Sequence, residues 1–267
     1  MSDLKAKLAD KGFSNWIKAN LAISVTKAGL EDSVCTKLQT IHRGILNDIR
    51  TDDQKHNNIF CYGCSTQSII RCSRIHPCNR VGKICPFHKQ TQYRKCRNEI
   101  CDKIRDTIVQ AHIHQTPSWK NTRAEAWCKS YWEYAKCFMP SDGYSDKNSF
   151  SETDFNGIIN IVIHHSAFCD EIDGSVCKKA RSIVNGIRHN SDLSVGDQQL
   201  EDIVTLLKQL LSCCEEFKNS SQAAQAILKL ENLKDDTLSV TEGDVKQCLQ
   251  NQYDDLVKDL KADLNTV

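Results

Sequence analysis

The stretches VCKKARSIVNGI (176–187) and SVGDQQLEDIVTLLKQLL (194–211) decide the fold class of this sequence. Their apolar residues recur every three or four positions, which puts them on one face of an α-helix. In the second stretch Ser194 is a candidate N-cap, and Asp197 falls in the first turn, where a negative charge stabilises the helix dipole. The two stretches therefore predict amphipathic helices joined by a short polar turn, as in an antiparallel helical bundle.

The same helical spacing continues on both sides of these stretches. It predicts two helices within the first 50 residues and further helices near residues 96–112, 123–138, 154–165, 221–232 and 242–264. The segment MPSDG (139–143) ends the pattern with a proline and a glycine. We expect a mostly α-helical protein with two regions. Residues 1–142 would form a helical region with an irregular Cys/His-rich segment at about 56–105, and residues 150–267 a helical bundle with C-terminal helices.

The Cys/His-rich segment carries the strongest chemical motif, because a two-residue spacer lets two side chains face one metal ion. Cys61 with Cys64 is the best such pair, and Cys85 with His88 is the next. The candidate metal ligands are Cys61, Cys64, Cys72, Cys78, Cys85, His88, Cys96 and Cys101. The segment has few large apolar residues with which to build a core, so we expect one or two structural zinc ions. Disulfides and incidental buried thiols are the alternatives.

The sequence contains no pattern that predicts a catalytic metal or an exported protein. HExxH and H-x-E…P-C-x-x-C motifs are absent, so the zinc is expected to be structural. No apolar run is long enough for a transmembrane helix, and MSDLKAKLADKGF (1–13) has no apolar signal-peptide core. We expect no membrane association and a reducing compartment, the cytoplasm or alternatively the nucleus, where clustered thiols more often bind metal.

Charge is distributed unevenly, although the formal net charge is only +1. Residues 71–105 hold ten Lys or Arg against two acidic residues, whereas residues 231–267 hold nine acidic residues against four Lys. A basic block attracts an anionic partner, so we expect RNA as a ligand, with Arg94, Lys95 and Arg97 as the candidate contacts. A solvated basic surface around the metal site is the alternative interpretation.

Aromatic residues concentrate in the segment that precedes MPSDG. They are Trp119, Trp127, Tyr131, Trp132 and Tyr134. Such rings can stack on nucleic-acid bases. At helical spacing they more often belong to a core, and the core is our prediction.

Several motifs together resemble an uncharacterised vertebrate family, the chromosome-X open-reading-frame thirty-eight proteins. They are NW (15–16), KA (18–19), HRGIL (42–46), WEYAK (132–136) and FMP (138–140). Their order and approximate spacing fit that family from about residue 13 to residue 195. The cysteine segment holds more cysteines than the family pattern, so no ligand assignment follows from the resemblance, which implies no established mechanism.

The helices over about 150–215 resemble HEPN domains of the kind found beside RING fingers in DAZ-interacting zinc-finger-type ligases. That fold is an antiparallel helical bundle that often dimerises, and many members bind or cut RNA with an Arg-x(4–6)-His motif. In RSIVNGIRHN (181–190), His189 takes the place of the motif's histidine, but Val184 stands where its arginine belongs. Arg181 and Arg188 are the nearest cations that could stabilise phosphate charge while His189 transfers a proton.

The resemblance therefore implies His189, Arg188 and Arg181 as catalytic candidates in an incomplete motif. We expect a zinc-stabilised helical adaptor or binding module for RNA or protein partners, and no enzyme activity. A HEPN-type ribonuclease acting as a homodimer is one alternative. A protein-interaction scaffold is the other.

Overall fold

The structure is a computed structural model that describes residues 7, 9–52, 60–61, 63–71, 85, 87–88, 91–235 and 240–264. As predicted, these residues are mostly α-helical, and within them no strand occurs, only an isolated antiparallel bridge between His112 and His165. The α-helices are α1 (Lys11–Asp52), α2 (Thr66–Ile69), α3 (Ile100–Ala111), α4 (Tyr131–Ala135), α5 (Phe155–His164), α6 (Ser166–Cys169), α7 (Gly174–Arg188), α8 (Asp197–Leu211), α9 (Glu215–Lys218), α10 (Ser221–Lys234) and α11 (Glu242–Leu264).

The first compact unit combines residues 1–32 with residues 173–267. Helix α8 packs against both α7 and α10, and the N-terminal part of α1 lies against the same helices. Trp16 is fully buried, and its indole N–H donates to the carbonyl of Ile187 at 3.4 Å. A Cβ atom at Gly29 would lie only 2.6 Å from Ala226 and 2.9 Å from Leu211, so this glycine permits the close approach of α1 to α10 and α8.

The second compact unit comprises residues 33–172 and has an aromatic core. Trp119, Trp127, Trp132 and Tyr134 are buried in it and Tyr131 is half-buried, which confirms the predicted core role of the first four. The core also contains a charged residue, Lys136, which is fully buried.

Lys136 is stabilised in the core by a carboxylate and a backbone carbonyl. Its ammonium group pairs with the Glu133 carboxylate at 2.8 Å and donates to the Ser145 carbonyl at 3.1 Å. Glu133 in turn accepts from the Arg123 guanidinium at 2.9 Å. A buried charge persists only when it is paired and hydrogen-bonded in this way.

These units differ from the division by chain order, 1–142 and 150–267, that the sequence suggested. The apolar stripe of the N-terminal part of α1 needs partner helices, and it finds them in the C-terminal helices α7, α8 and α10. The order of segments along the chain does not reveal that an N-terminal helix packs with C-terminal helices.

Three predicted elements also need correction. The two helices predicted within the first 50 residues are one continuous helix, α1, because no proline interrupts them and Gly29 is tolerated where it packs closely. The aromatic-rich helix predicted over 123–138 is instead α4 flanked by the 3₁₀ helices Ala124–Ala126 and Lys136–Phe138, since the Ser130 hydroxyl caps a new helix start by accepting from the Glu133 N–H at 3.3 Å. Helix α8 has Gly196 as its N-cap, not Ser194.

Ser194 instead belongs to the loop before α8. Its carbonyl accepts from the Asn190 amide at 2.7 Å, and the next residue, Val195, donates its N–H to Gly12 at 3.0 Å. Asp197 does occupy the first turn of α8, as predicted, and it pairs with Lys11 at 2.5 Å.

None of the helices among the described residues combines the length and apolar character needed to cross a membrane.

Candidate metal centre

Four cysteines bring their sulfur atoms together in the second unit. The Sγ atoms of Cys61, Cys64, Cys96 and Cys101 all lie within 4.8 Å of one another, and those of Cys61 and Cys96 are 3.7 Å apart. Two thiolates that each lie about 2.3 Å from one zinc ion at the tetrahedral angle are about 3.8 Å apart. The spacing of these sulfurs therefore fits a tetrahedral metal site, and we call this group the four-cysteine cluster.

The local backbone structure positions the cysteines of the cluster, both beside Cys64 and between Cys96 and Cys101. Cys64 directly precedes Ser65, which caps α2 in a reciprocal capping box with Ser68. Glu99 adopts a left-handed conformation with φ of 58°, and this tight turn allows Cys96 and Cys101 to face the same point.

Asp102 fixes the position of Cys96. Its buried carboxylate accepts the Cys96 N–H at 2.7 Å and pairs with Arg105 at 2.6 Å. Arg105 also donates to the carbonyl of Ile69, the last residue of α2, at 3.1 Å. The Asp102–Arg105 pair thus ties the start of α3, which carries Cys101, to the end of α2, the helix that Cys64 precedes.

The pKa shifts of the clustered thiols indicate that ionisation of all four requires a nearby positive charge. Burial, together with the neighbouring thiols of Cys61 and Cys96, raises the pKa of Cys64 to about 12. The hydrogen bond to the Cys128 thiol and then burial raise the pKa of Cys101. Burial opposes ionisation of Cys61 as well, but hydrogen bonds from the Gly63 backbone and the Cys64 thiol lower its pKa. Four thiolates can coexist here only if a positive charge offsets their repulsion, and a bound divalent metal ion provides that charge.

Cys128 is a fifth thiol beside the cluster that the sequence analysis missed. It is buried, and its thiol forms a hydrogen bond with that of Cys101, which lowers the pKa of Cys128. It lies far along the chain from the Cys/His-rich segment and among core aromatics, so its spacing gave no signal of a metal site. Its hydrogen bond places it next to the four-cysteine cluster.

Four of the predicted ligands are not part of the four-cysteine cluster. Cys85 and His88 do not belong to the four-cysteine cluster, but the Cys85 sulfur lies 3.2 Å from His88 Nδ1. Cys72 and Cys78 lie outside the described residues. Of the eight candidate ligands, four form the four-cysteine cluster, Cys85 and His88 form a separate pair, and the other two are not described.

The three predicted nucleic-acid contacts lie beside the four-cysteine cluster. Arg94, Lys95 and Arg97 are exposed and line a groove of about 470 Å³ together with Phe60, Cys61, Gly63, Cys64 and Asn98. Arg94 donates to the Gly63 carbonyl, and Lys95 pairs with Glu99. We call this feature the basic groove.

Two aromatic rings beside these residues are exposed to solvent. Phe60 is 40% exposed, with the Lys129 ammonium 5.5 Å from its ring centre. Tyr93 is 36% exposed, with the Arg71 guanidinium 4.8 Å from its ring centre. Each exposed ring therefore carries a cation next to it.

The catalytic candidates lie at the end of helix α7. His189 is the exposed C-cap residue, Arg188 is the last residue of the helix, and Arg181 lies two turns earlier. Val184, where the HEPN resemblance would place the motif's arginine, is fully buried and faces the core of this unit. An arginine could not replace Val184 there without burying an unpaired charge.

The fold and the site define a mostly α-helical protein with a four-cysteine cluster suited to one metal ion. The chain belongs to the family DUF4559, a domain of unknown function, whose model matches residues 7–266. It is similar to the mouse protein "Uncharacterized protein CXorf38 homolog", with 25% identity over 235 residues that cover 87% of this chain and 64% of the mouse protein. The chain thus spans less than two thirds of that relative's length. The family resemblance drawn from the sequence motifs is confirmed, and no solved structure gives a significant match.

Proposed function

We propose that this chain is a zinc-stabilised helical module that binds RNA through the basic groove. The observation that carries the proposal is the position of Arg94, Lys95 and Arg97 on the rim of a groove that the four-cysteine cluster supports. Three exposed cations in one groove provide the electrostatic attraction that phosphate binding requires. A binding role also agrees with the absence of a catalytic motif in the sequence.

The metal has a structural role in this proposal. Four cysteine ligands fill a tetrahedral site and leave no open position for a substrate or an activated water. Thiolate ligands select zinc among the abundant divalent ions that have no redox chemistry. Cys61 and Cys64 both line the basic groove and belong to the cluster, so the metal would hold the floor of the binding surface.

The exposed aromatic rings favour single-stranded RNA over a duplex. Phe60 and Tyr93 are exposed rings, each with a cation over one face, and unpaired bases stack on the open face of such rings. The bases of a duplex are stacked on one another and cannot reach them.

The test is binding of a labelled oligouridine, measured by fluorescence anisotropy at about 50 and about 200 mM salt. The triple variant R94E/K95E/R97E should bind more weakly, and the slope of log K against log salt should become shallower by about 2, since each contact to a single strand contributes about 0.7. The matched control K178E/K179E/K229E changes three exposed lysines of the other unit by the same total charge. Equal losses in the two variants would contradict the proposal.

Interpretation of α5 to α8 as a HEPN-like bundle, homodimer formation through it, and location in the cytoplasm remain predictions from the sequence. The burial of Val184 favours a binding role for that region over a ribonuclease. A protein-interaction scaffold would be supported if the unmodified chain bound no RNA at low salt.

A further inference from the structure

A second group of metal-binding side chains lies apart from the four-cysteine cluster. The Cys85 sulfur is 3.2 Å from His88 Nδ1, and both residues are buried, at 8% and 5% exposed. A thiolate and an imidazole nitrogen bound to one zinc ion at the tetrahedral angle would be about 3.5 Å apart. The two donor atoms thus already lie close to the edge of a coordination tetrahedron.

The orientation of the His88 ring is fixed from its far side. His88 Nε2 lies 2.8 Å from the carbonyl oxygen of Ile70, an acceptor, so Nε2 carries the hydrogen and donates it. In this tautomer Nδ1 is left with a lone pair directed at the Cys85 side. Histidines that bind zinc commonly donate their second ring N–H to a carbonyl in this way.

The backbone also prepares Cys85 to act as a thiolate. The His88 N–H donates to the Cys85 sulfur at 3.3 Å, and a hydrogen bond of this kind stabilises the charged form of the ligand. The two-residue spacer between Cys85 and His88 closes a turn in which both donors face one point.

Helix α2 connects this pair to the four-cysteine cluster. Cys64 comes just before the helix, and Ile70, which holds His88, comes just after it. The Arg94 N–H also donates to the Ser68 carbonyl at 2.9 Å, so the segment that carries the cations of the basic groove is hydrogen-bonded to the same helix.

We propose that Cys85 and His88 are ligands of a second zinc ion, distinct from the ion of the four-cysteine cluster. The two ions would fix opposite ends of α2, which has only four residues and cannot be stable by itself. This pair would supply two of the ion's ligands, one sulfur and one nitrogen, whereas the four-cysteine cluster supplies sulfur alone.

The experiment counts zinc in the full chain, purified under reducing conditions, and examines zinc X-ray absorption. The unmodified protein should hold two ions per chain, and its spectrum should contain imidazole nitrogen as well as sulfur neighbours. H88Q keeps a donor for the Ile70 carbonyl but removes the Nδ1 ligand, so it should hold one ion with sulfur neighbours only. C61S/C64S should also hold one ion, with nitrogen retained, and C213S should keep both.

One zinc per chain with an all-sulfur spectrum in the unmodified protein would overturn the second site and leave the four-cysteine proposal intact. Loss of both ions in H88Q, together with imidazole scattering in the unmodified protein, would still support it, because the nitrogen neighbour is seen without any substitution. Zinc content that is unchanged in both H88Q and C85S would overturn it.

Discussion

Buried His165 should make the second unit lose stability in mild acid. The side chain is 2% exposed, and burial, followed by the charges of Lys37 and His112, lowers its pKa to about 4. Nδ1 accepts the Ala167 N–H at 3.2 Å, so the neutral ring carries its hydrogen on Nε2 and donates to the Tyr134 hydroxyl at 2.8 Å. Protonation of Nδ1 would direct two donors at each other.

The magnitude follows from the difference between the two states. The histidine pKa is 6.5 in the unfolded chain and about 4 in the folded protein, so the unfolded chain binds more protons between these values. The contribution of neutral His165 to the free energy of unfolding is therefore fully present above pH 6.5 and is lost as the pH falls toward 4. The total loss is about 3 kcal/mol, of which about 2.5 kcal/mol is lost by pH 4.5.

The assay is urea unfolding followed by tryptophan fluorescence from pH 7.5 to pH 4.5. Three of the four tryptophans, Trp119, Trp127 and Trp132, belong to the same unit as His165, so most of the signal reports on that unit. His165→Asn keeps an acceptor for the Ala167 N–H and does not titrate, so it should be less stable at pH 7.5 but lose about 2.5 kcal/mol less on acidification. His189→Asn, at an exposed position, is the control.

Both proteins keep the same cysteines, so acid release of metal affects them equally and cancels in the difference. If the unmodified protein and H165N lose stability in parallel between pH 6.5 and 4.5, burial does not keep His165 neutral and the reasoning is refuted.

Three further predictions concern the buried ion pair, the metal and the catalytic candidates. Lys136→Met should lower the free energy of unfolding by about 3 kcal/mol because Glu133 loses its buried partner. In urea unfolding, the double variant E133Q/K136M should recover part of this loss. A double variant that is less stable than K136M would contradict the pairing. Substituting C61S/C64S should reduce protease resistance around residues 60–101 while far-ultraviolet circular dichroism keeps most of its helical signal, since structural zinc stabilises its surroundings locally; loss of the whole helical signal would mean that the two units unfold together. The unmodified protein should cut no labelled RNA, because buried Val184 stands where the HEPN resemblance would place the motif's arginine; cleavage that disappears in H189A would show that the chain is a ribonuclease.

Much of the secondary structure could be predicted because helical periodicity is a local property. Helices α5, α7, α8, α10 and α11 lie within a few residues of their predicted bounds, since each has a complete apolar stripe of its own. The grouping of metal-binding side chains was partly predictable for the same reason, because Cys61 with Cys64 and Cys85 with His88 are close in sequence and also lie close together in the structure.

The sequence alone thus determined the helical class, the thiol-rich segment and the charge of the groove, because these depend on spacing and composition. Only the tertiary structure decided which helices share a core, which four sulfurs meet, and that Cys128 joins them from a distant segment. It also decided that Val184 is buried while His189 is exposed. These outcomes depend on contacts between residues far apart in the chain. Such contacts form where apolar faces and side chains fit together, and local sequence patterns do not specify this fit.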